Sequence, residues 1–278
     1  MKKITLLLVS LIGLSGCSGL IQNETTASSS LVDFLYPDSD NYREHQPSIP
    51  HLSLPVNVGI AFVPSSDFNQ VALSEKKKYE LLSKVKSKFS DLSDVNRIEI
   101  ISDKYLQKGG GFDNLKQLSR LYDVQIMALV SYDQVTRSTQ NNAALLYWTI
   151  AGMYLIPGNE NTTQTFVDTA VFDIESTQML FRAPGLSSVE SLSTAVGVED
   201  TFYENSSEGY TDAVTDMIEN LHKELDNFKV RVKEENVADV SYKSNYSGSS
   251  FSWLTVLGLM LIYLVRRNKK MLSSRSQR

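Results

Sequence analysis

Val56-Asn57-Val58-Gly59-Ile60-Ala61-Phe62-Val63 is a near-continuous apolar run closed by Pro55 on one side and Pro64 on the other. A strand buried on both faces reads this way, because neither face has to meet water. Downstream, Ser74 is placed to cap a helix whose third residue is Lys77. Tyr79, Leu82, Val85 and Phe89 then recur at helical spacing toward an end near Ser90. Ile98-Glu99-Ile100-Ile101 reads as a second strand, Leu115, Leu118, Leu121 and Tyr122 mark a helix begun near Asp113, and Val124 to Val130 is a third strand. Strands alternating with helices in this order predict a parallel or mixed sheet with helices packed over it.

After Val130 the pattern changes. Phe166 to Ile174 and Met179 to Arg182 flank the polar turn Glu175-Ser176-Thr177-Gln178, which predicts a hairpin. A last helix is expected from about Glu208 to Phe228, with Ala213, Met217, Leu221 and Leu225 on one face. The expected class is therefore α/β (α+β): a single mixed-sheet domain with flanking helices over 55–232. The order of elements, with a first strand like Val58 to Phe62 and Asp173-Ile174-Glu175-Ser176-Thr177-Gln178 entering the hairpin, resembles a fold of bacterial envelope proteins. The curli-secretion lipoprotein, the lipoprotein activators of penicillin-binding proteins and the amino-terminal domain of the Tol-Pal periplasmic protein share it.

Across 278 residues, 42% apolar and 21% charged is ordinary globular composition, which argues against a wholly disordered chain. The net charge of −5 hides an asymmetry. Lys2, Lys3, Arg266, Arg267, Lys269, Lys270, Arg275 and Arg278 sit at the two ends; setting them aside leaves 19 basic against 32 acidic residues, a charge of −13. Such a body repels phosphate backbones, so nucleic acid is not the expected partner. With Cys17 the only cysteine, neither an internal disulfide nor a cysteine-rich metal site can form.

At the amino terminus, Met1-Lys2-Lys3 is a basic start, Ile4 to Ile12 an apolar core, and Leu14-Ser15-Gly16-Cys17 follows at once. This resembles a lipoprotein signal peptide over 1–16 ending in the bacterial lipobox Leu14, Ser15, Gly16, Cys17. The resemblance implies a covalent lipid on the Cys17 thiol, cleavage before Cys17, and acylation of the new amino terminus. Its partners are then the lipoprotein signal peptidase, acyltransferases and membrane lipid. Ser18 rather than Asp follows the cysteine, which in Gram-negative lipoproteins implies export to the outer membrane. Residues 17–54 read as a lipidated Ser/Thr/Pro-rich tether, since Gln22 to Ser30 is polar and Pro37, Pro47, Pro50 and Pro55 recur at spacings that forbid a long helix. Within it, Leu31 to Tyr36 is an apolar island, expected to pack on the domain as a short helix stopped by Pro37; a partner-docking segment is the alternative.

Ala143 to Ile156 is almost wholly apolar yet, at fourteen residues, shorter than the ~20 a membrane helix needs. A core element stopped by Pro157-Gly158 is the expected reading; a self-association or membrane-touching arm is the other, and helix or strand is left open. Catalytic motifs are wanting. His45, His51 and His222 have no zinc spacing, Gly109-Gly110-Gly111 lacks a following Lys-Ser or Lys-Thr and reads as a flexible connector, and no Gly-x-Ser-x-Gly elbow occurs. No catalytic residue, metal or cofactor beyond the lipid on Cys17 is expected.

The carboxyl terminus divides into a polar linker, 233–250, and 251–278. Phe251 to Val265 is apolar and Arg266-Arg267-Asn268-Lys269-Lys270 is basic, which places that side in the cytoplasm. Fifteen residues make a helix of about 22 Å against a hydrocarbon core of ~30 Å, a poor anchor. Ser247-Gly248-Ser249-Ser250 before this stretch resembles the GlyGly-CTERM sorting signal, with Gly248-Ser249 in place of Gly-Gly, and implies processing by a rhombosortase-type intramembrane protease. Gly and Ser disfavour helix at the top of the apolar stretch, as an extended substrate strand requires. Together with the lipobox and Ser30 to Pro37, the whole chain is similar to the rhombotarget lipoproteins. The expectation is a non-catalytic binding protein, held in the inner membrane as precursor and at the outer membrane or cell surface when mature. An oligomerising envelope-assembly or secretion factor is the alternative, with a homo-oligomer as its partner. Cys17→Ala is expected to abolish incorporation of labelled palmitate and leave the unprocessed precursor; continued labelling would remove the lipobox reading.

Overall fold

A computed structural model describes residues 23–36, 48–65, 73–143, 146 and 149–243. Contacts divide the chain into a unit spanning Met1–Ser241 and a second of Tyr242–Arg278, of which only Tyr242 and Lys243 are described. The first unit is a mixed α+β domain. Its centre is the predicted strand, β3 (Val56–Phe62), where Ile60, Ala61 and Phe62 are all at most 2% exposed. On one side β3 pairs in parallel with β4 (Val95–Ile100), on the other with β5 (Ile126–Gln140). β5 then pairs antiparallel with β6 (Asn159–Asp173), and β6 with β7 (Met179–Ser193), giving the order β4-β3-β5-β6-β7.

Helices cover both faces. Ile60 and Phe62 pack with Leu81, Leu82 and Val85 of α2 (Glu75–Phe89) and with Val214, Met217 and Leu221 of α5 (Val198–Glu235). Ala61 and Val63, pointing the other way, pack with Phe34 and Leu35 of α1 (Leu31–Leu35) and with Leu115 and Leu118 of α3 (Gly111–Tyr122). Alternate residues of one strand thus feed two cores. Ser74 caps α2 as the sequence predicts, its side chain accepting from the Lys77 amide at 3.3 Å. α1 is the short docked helix expected, with Ser30 capping it and Phe34 2% exposed.

Several expectations are corrected. The segment 17–54 is not a tether throughout: β1 (Asn23–Ser28) pairs antiparallel with the second half of β5, and β2 (His51–Leu54) pairs with β8 (Asp239–Tyr242). β3 reaches only Val130 of β5, so the edge of β5 from Asp133 to Ser138 needs another backbone, and polar Asn23-Glu24-Thr25-Thr26-Ala27-Ser28 supplies it. The 233–250 linker likewise begins later, because α5 runs to Glu235 and β8 follows. Tyr79, placed on the inner face of its helix, is 64% exposed, and Lys78 is buried in its stead. The three glycines are not a loose connector either: Gly111 opens α3 at φ 53°, where an added Cβ would lie 2.9 Å from the Leu35 carbonyl oxygen.

The hairpins outrun their prediction because their outer halves have a polar interior. Gln134, Thr136, Asn161, Thr163 and Thr165 are buried with their polar groups paired: Thr136 bonds Thr163 at 3.0 Å, Gln134 donates to Thr165 at 2.7 Å, and Asn161 donates to Ser193 at 2.8 Å. The first turns of α5, ahead of Glu208, lie over this face, with Asn205 donating to Ser191 at 2.6 Å. α5 then follows β7 along its length, through Asn220 to the Pro184 carbonyl and Arg231 to the Leu180 carbonyl, each at 2.8 Å. Closest approach is at Gly185. A Cβ there would overlap the Ala213 carbonyl oxygen and lie 2.5 Å from the Met217 nitrogen. Gly185→Ala is therefore expected to destabilise by at least the ~1–3 kcal/mol of an overpacked core, while Ser188→Ala, exposed on the same strand, stays within ~0.5 kcal/mol. Urea denaturation of the three proteins checks this; equal midpoints would mean that helix and strand do not meet there.

Candidate functional site

Leu14, Ser15, Gly16 and Cys17, and Ser247, Gly248, Ser249 and Ser250, lie outside the described residues. What the fold does fix is where the chain beyond Cys17 enters the domain. Asn23 opens β1 opposite Ser138, two residues before β5 ends at Gln140. Gln140 faces Asn159, and Asn159 faces Ser193. These residues mark one end of the domain, here the distal end; the β6–β7 turn at Glu175 to Gln178 marks the other.

Two features of the domain carry chemistry. The first is a buried charge cluster at the step where β3 and β4 stop and β5 continues. Lys78, in the first turn of α2, donates to Glu75 at 3.1 Å and to Asp103, which sits in the helical turn after β4; the Lys78 and Asp103 side chains are 10% and 11% exposed. Tyr132 of β5 and Tyr210 of α5 adjoin it, edge to face at 5.7 Å. The Tyr210 hydroxyl and Asp103 Oδ1 lack a hydrogen bond among the described residues. Burial disfavours the Lys78 cation, but bonding and attraction from Asp103, then Glu75, outweigh it and hold the pKa above the ordinary lysine value. Burial likewise raises the pKa of both tyrosines. At neutral pH Lys78 is a fixed cation and the phenols are neutral, so these groups suit bracing and hydrogen bonding rather than proton transfer. Lys78, Leu81, Leu82 and Val85 share a helical face, so the buried lysine was readable from spacing.

The second feature is the distal end itself. A cleft of about 550 Å³ opens between the sheet and the start of α5, with Phe202, Val196 and Val198 on one wall and Ser138, Gln140 and Asn159 on the other. Beside it, the link from β5 to β6 carries α4 (Ile150–Leu155). This corrects the reading of 143–156 as a core element: Leu146 is 53%, Tyr154 61% and Leu155 77% exposed. The Val196 amide bonds the Met153 carbonyl at 3.4 Å and ties α4 to the turn before α5. Among the described residues no cluster of three or more His, Cys, Asp or Glu side chains is arranged to hold a metal, and no helix is long and apolar enough to cross a membrane.

Removing one member of a buried ion pair leaves the other uncompensated. Asp103→Leu is expected to cost ~3–5 kcal/mol, and adding Lys78→Met to recover part of it. A raised lysine pKa contributes stability that is full below the unfolded value and is lost as pH rises through the folded one. Wild type should thus weaken at strongly alkaline pH more than the double variant does. Urea midpoints at neutral and alkaline pH measure both effects, and a double variant no better than Asp103→Leu would show that the pair is uncoupled.

No family model matches the chain, and no curated protein matches it. Solved structures with which it aligns include a putative neuraminyllactose-binding hemagglutinin homolog from Helicobacter pylori, at 9% identity and TM-score 0.37, covering 72% of this chain and 97% of that one. A PelC dodecamer from Paraburkholderia phytofirmans aligns at 5% identity and TM-score 0.26, over 71% and 98% of the two chains. A hypothetical protein from Chlamydia trachomatis aligns at 12% identity and TM-score 0.26, over 64% and 95%. At these scores none bears on activity.

Proposed function

We propose that this chain is a bacterial envelope lipoprotein that acts by binding, not catalysis, and that a rhombosortase-type protease removes its carboxyl terminus. The observation that carries the reading is the coincidence of a basic start, an apolar core and Leu14-Ser15-Gly16-Cys17, a leader that ends on the one thiol able to form a thioether. The exposed apolar residues of α4 supply a surface for contact. That same surface favours a second reading, an assembly factor that associates with copies of itself.

Retention of the tail and release from the inner membrane are mutually exclusive on this proposal, because a helix followed by a cationic cytoplasmic cluster holds its chain in place. Replacing Gly248, Ser249 and Ser250 together by Leu lengthens the apolar helix by ~4.5 Å and removes the residues that disfavour helix at its top. The variant is expected to keep its tail and stay in the inner-membrane fraction, while wild type loses the residues beyond about Ser250. Intact mass of the mature wild-type protein decides it: a species still containing Arg266 to Arg278 would make the terminus an ordinary anchor.

A further inference from the structure

We propose that the distal end of the domain rests on the bilayer that holds Cys17, with α4 as the element in contact with lipid. This builds on the lipid-anchor reading and adds to it a face and an orientation. Six residue steps separate Cys17 from Asn23. At ~3.3–3.6 Å per residue they span at most about 22 Å in any conformation. Asn23 lies at the distal end, so the acyl chains leave the protein within that distance of Asn23, beside the Thr25 and Ser138 that line the cleft. The fifteen residues of β5 put the opposite end of the sheet about 50 Å away.

The surface nearest the anchor has the matching chemistry. Leu146, Met153, Tyr154 and Leu155 are exposed there, and Val196 and Tyr203 extend the apolar area across the mouth of the cleft. In water such a patch is unfavourable; at a lipid surface its aliphatic residues enter the acyl boundary and tyrosines sit at headgroup level. Exposed Glu160, Glu199, Asp200 and Glu204 flank it, and Arg137 is paired with Glu24 at 3.1 Å. The end therefore offers little attraction to anionic lipid, and zwitterionic lipid is the surface it fits. The acyl chains on Cys17 supply the hold, and α4 sets the domain upright on it.

The test uses the mature lipidated chain, purified from membranes, shown by intact mass to have lost the residues beyond about Ser250, and reconstituted in phosphatidylcholine vesicles. With the Cys17 thiol blocked by lipid, Tyr154→Cys and Glu175→Cys each give one reactive thiol for an environment-sensitive fluorophore. Spin-labelled phosphatidylcholine is expected to quench the probe at 154, with a blue shift in its emission, and to leave the probe at 175 unaffected; added salt should change neither. Leu155→Cys serves as an independent distal position and should behave as 154 does. No quenching at 154 in a protein whose mass shows the lipid on Cys17 overturns this inference and leaves the anchor reading standing. Absence of the lipid overturns both. Shielding of 154 from aqueous iodide without quenching by lipid assigns the patch to a second copy of the chain, and equal quenching at 154 and 175 means that the domain lies flat; either result overturns the proposal.

Discussion

Unpaired backbone along β5 is the constraint on which the rest of the structure depends. Buried amides and carbonyls must find partners, and β5 is fifteen residues long while β3 covers it only from Ile126 to Val130. β1 completes that edge, which draws the amino-terminal segment into the sheet and fixes its first described residue at the distal end. On its other side β5 is paired along its whole length by β6, so both strands, and β7 with them, run past the parallel core. The overhang needs its own cover. α5 provides it, and this is why that helix is 38 residues long.

The parallel half of the fold was legible and the overhang was not, for one physical reason. Hydrophobic periodicity reports burial against apolar neighbours, and β3, α2 and α3 are buried that way. Gln134, Thr136, Thr163 and Thr165 are buried against each other and against Ser206 of α5. Their hydrogen bonds replace those to water, and polar residues in this role carry no apolar signal. The same rule hid β1, whose residues are mostly polar, and the start of α5. It failed in the opposite direction at 143–156, where apolar composition implied a core and the described side chains face outward.

Of the candidate site, the sequence alone carried the lipobox, while its spatial meaning came from the fold. Nothing in Leu14-Ser15-Gly16-Cys17 says which end of a domain the chain after it enters; the register of Asn23 on Ser138 does. The carboxyl-terminal chain leaves the same unit at the other end. Ser241 bonds Ser53 at 3.0 Å, next to the start of β3, and the nearby residues Pro50 and Phe228 share a cavity with Gln178 and Leu180 at the β6–β7 turn.

The central claim, that the anchor and the exposed helix lie at one end so that the domain stands upright, has a direct measure in the thickness of the protein layer on a supported bilayer. Neutron reflectometry of the mature lipidated protein reads that thickness. An upright domain gives a layer close to the length of α5, about 57 Å for its 38 residues. A markedly thinner layer, from a domain lying along the membrane, would contradict the account.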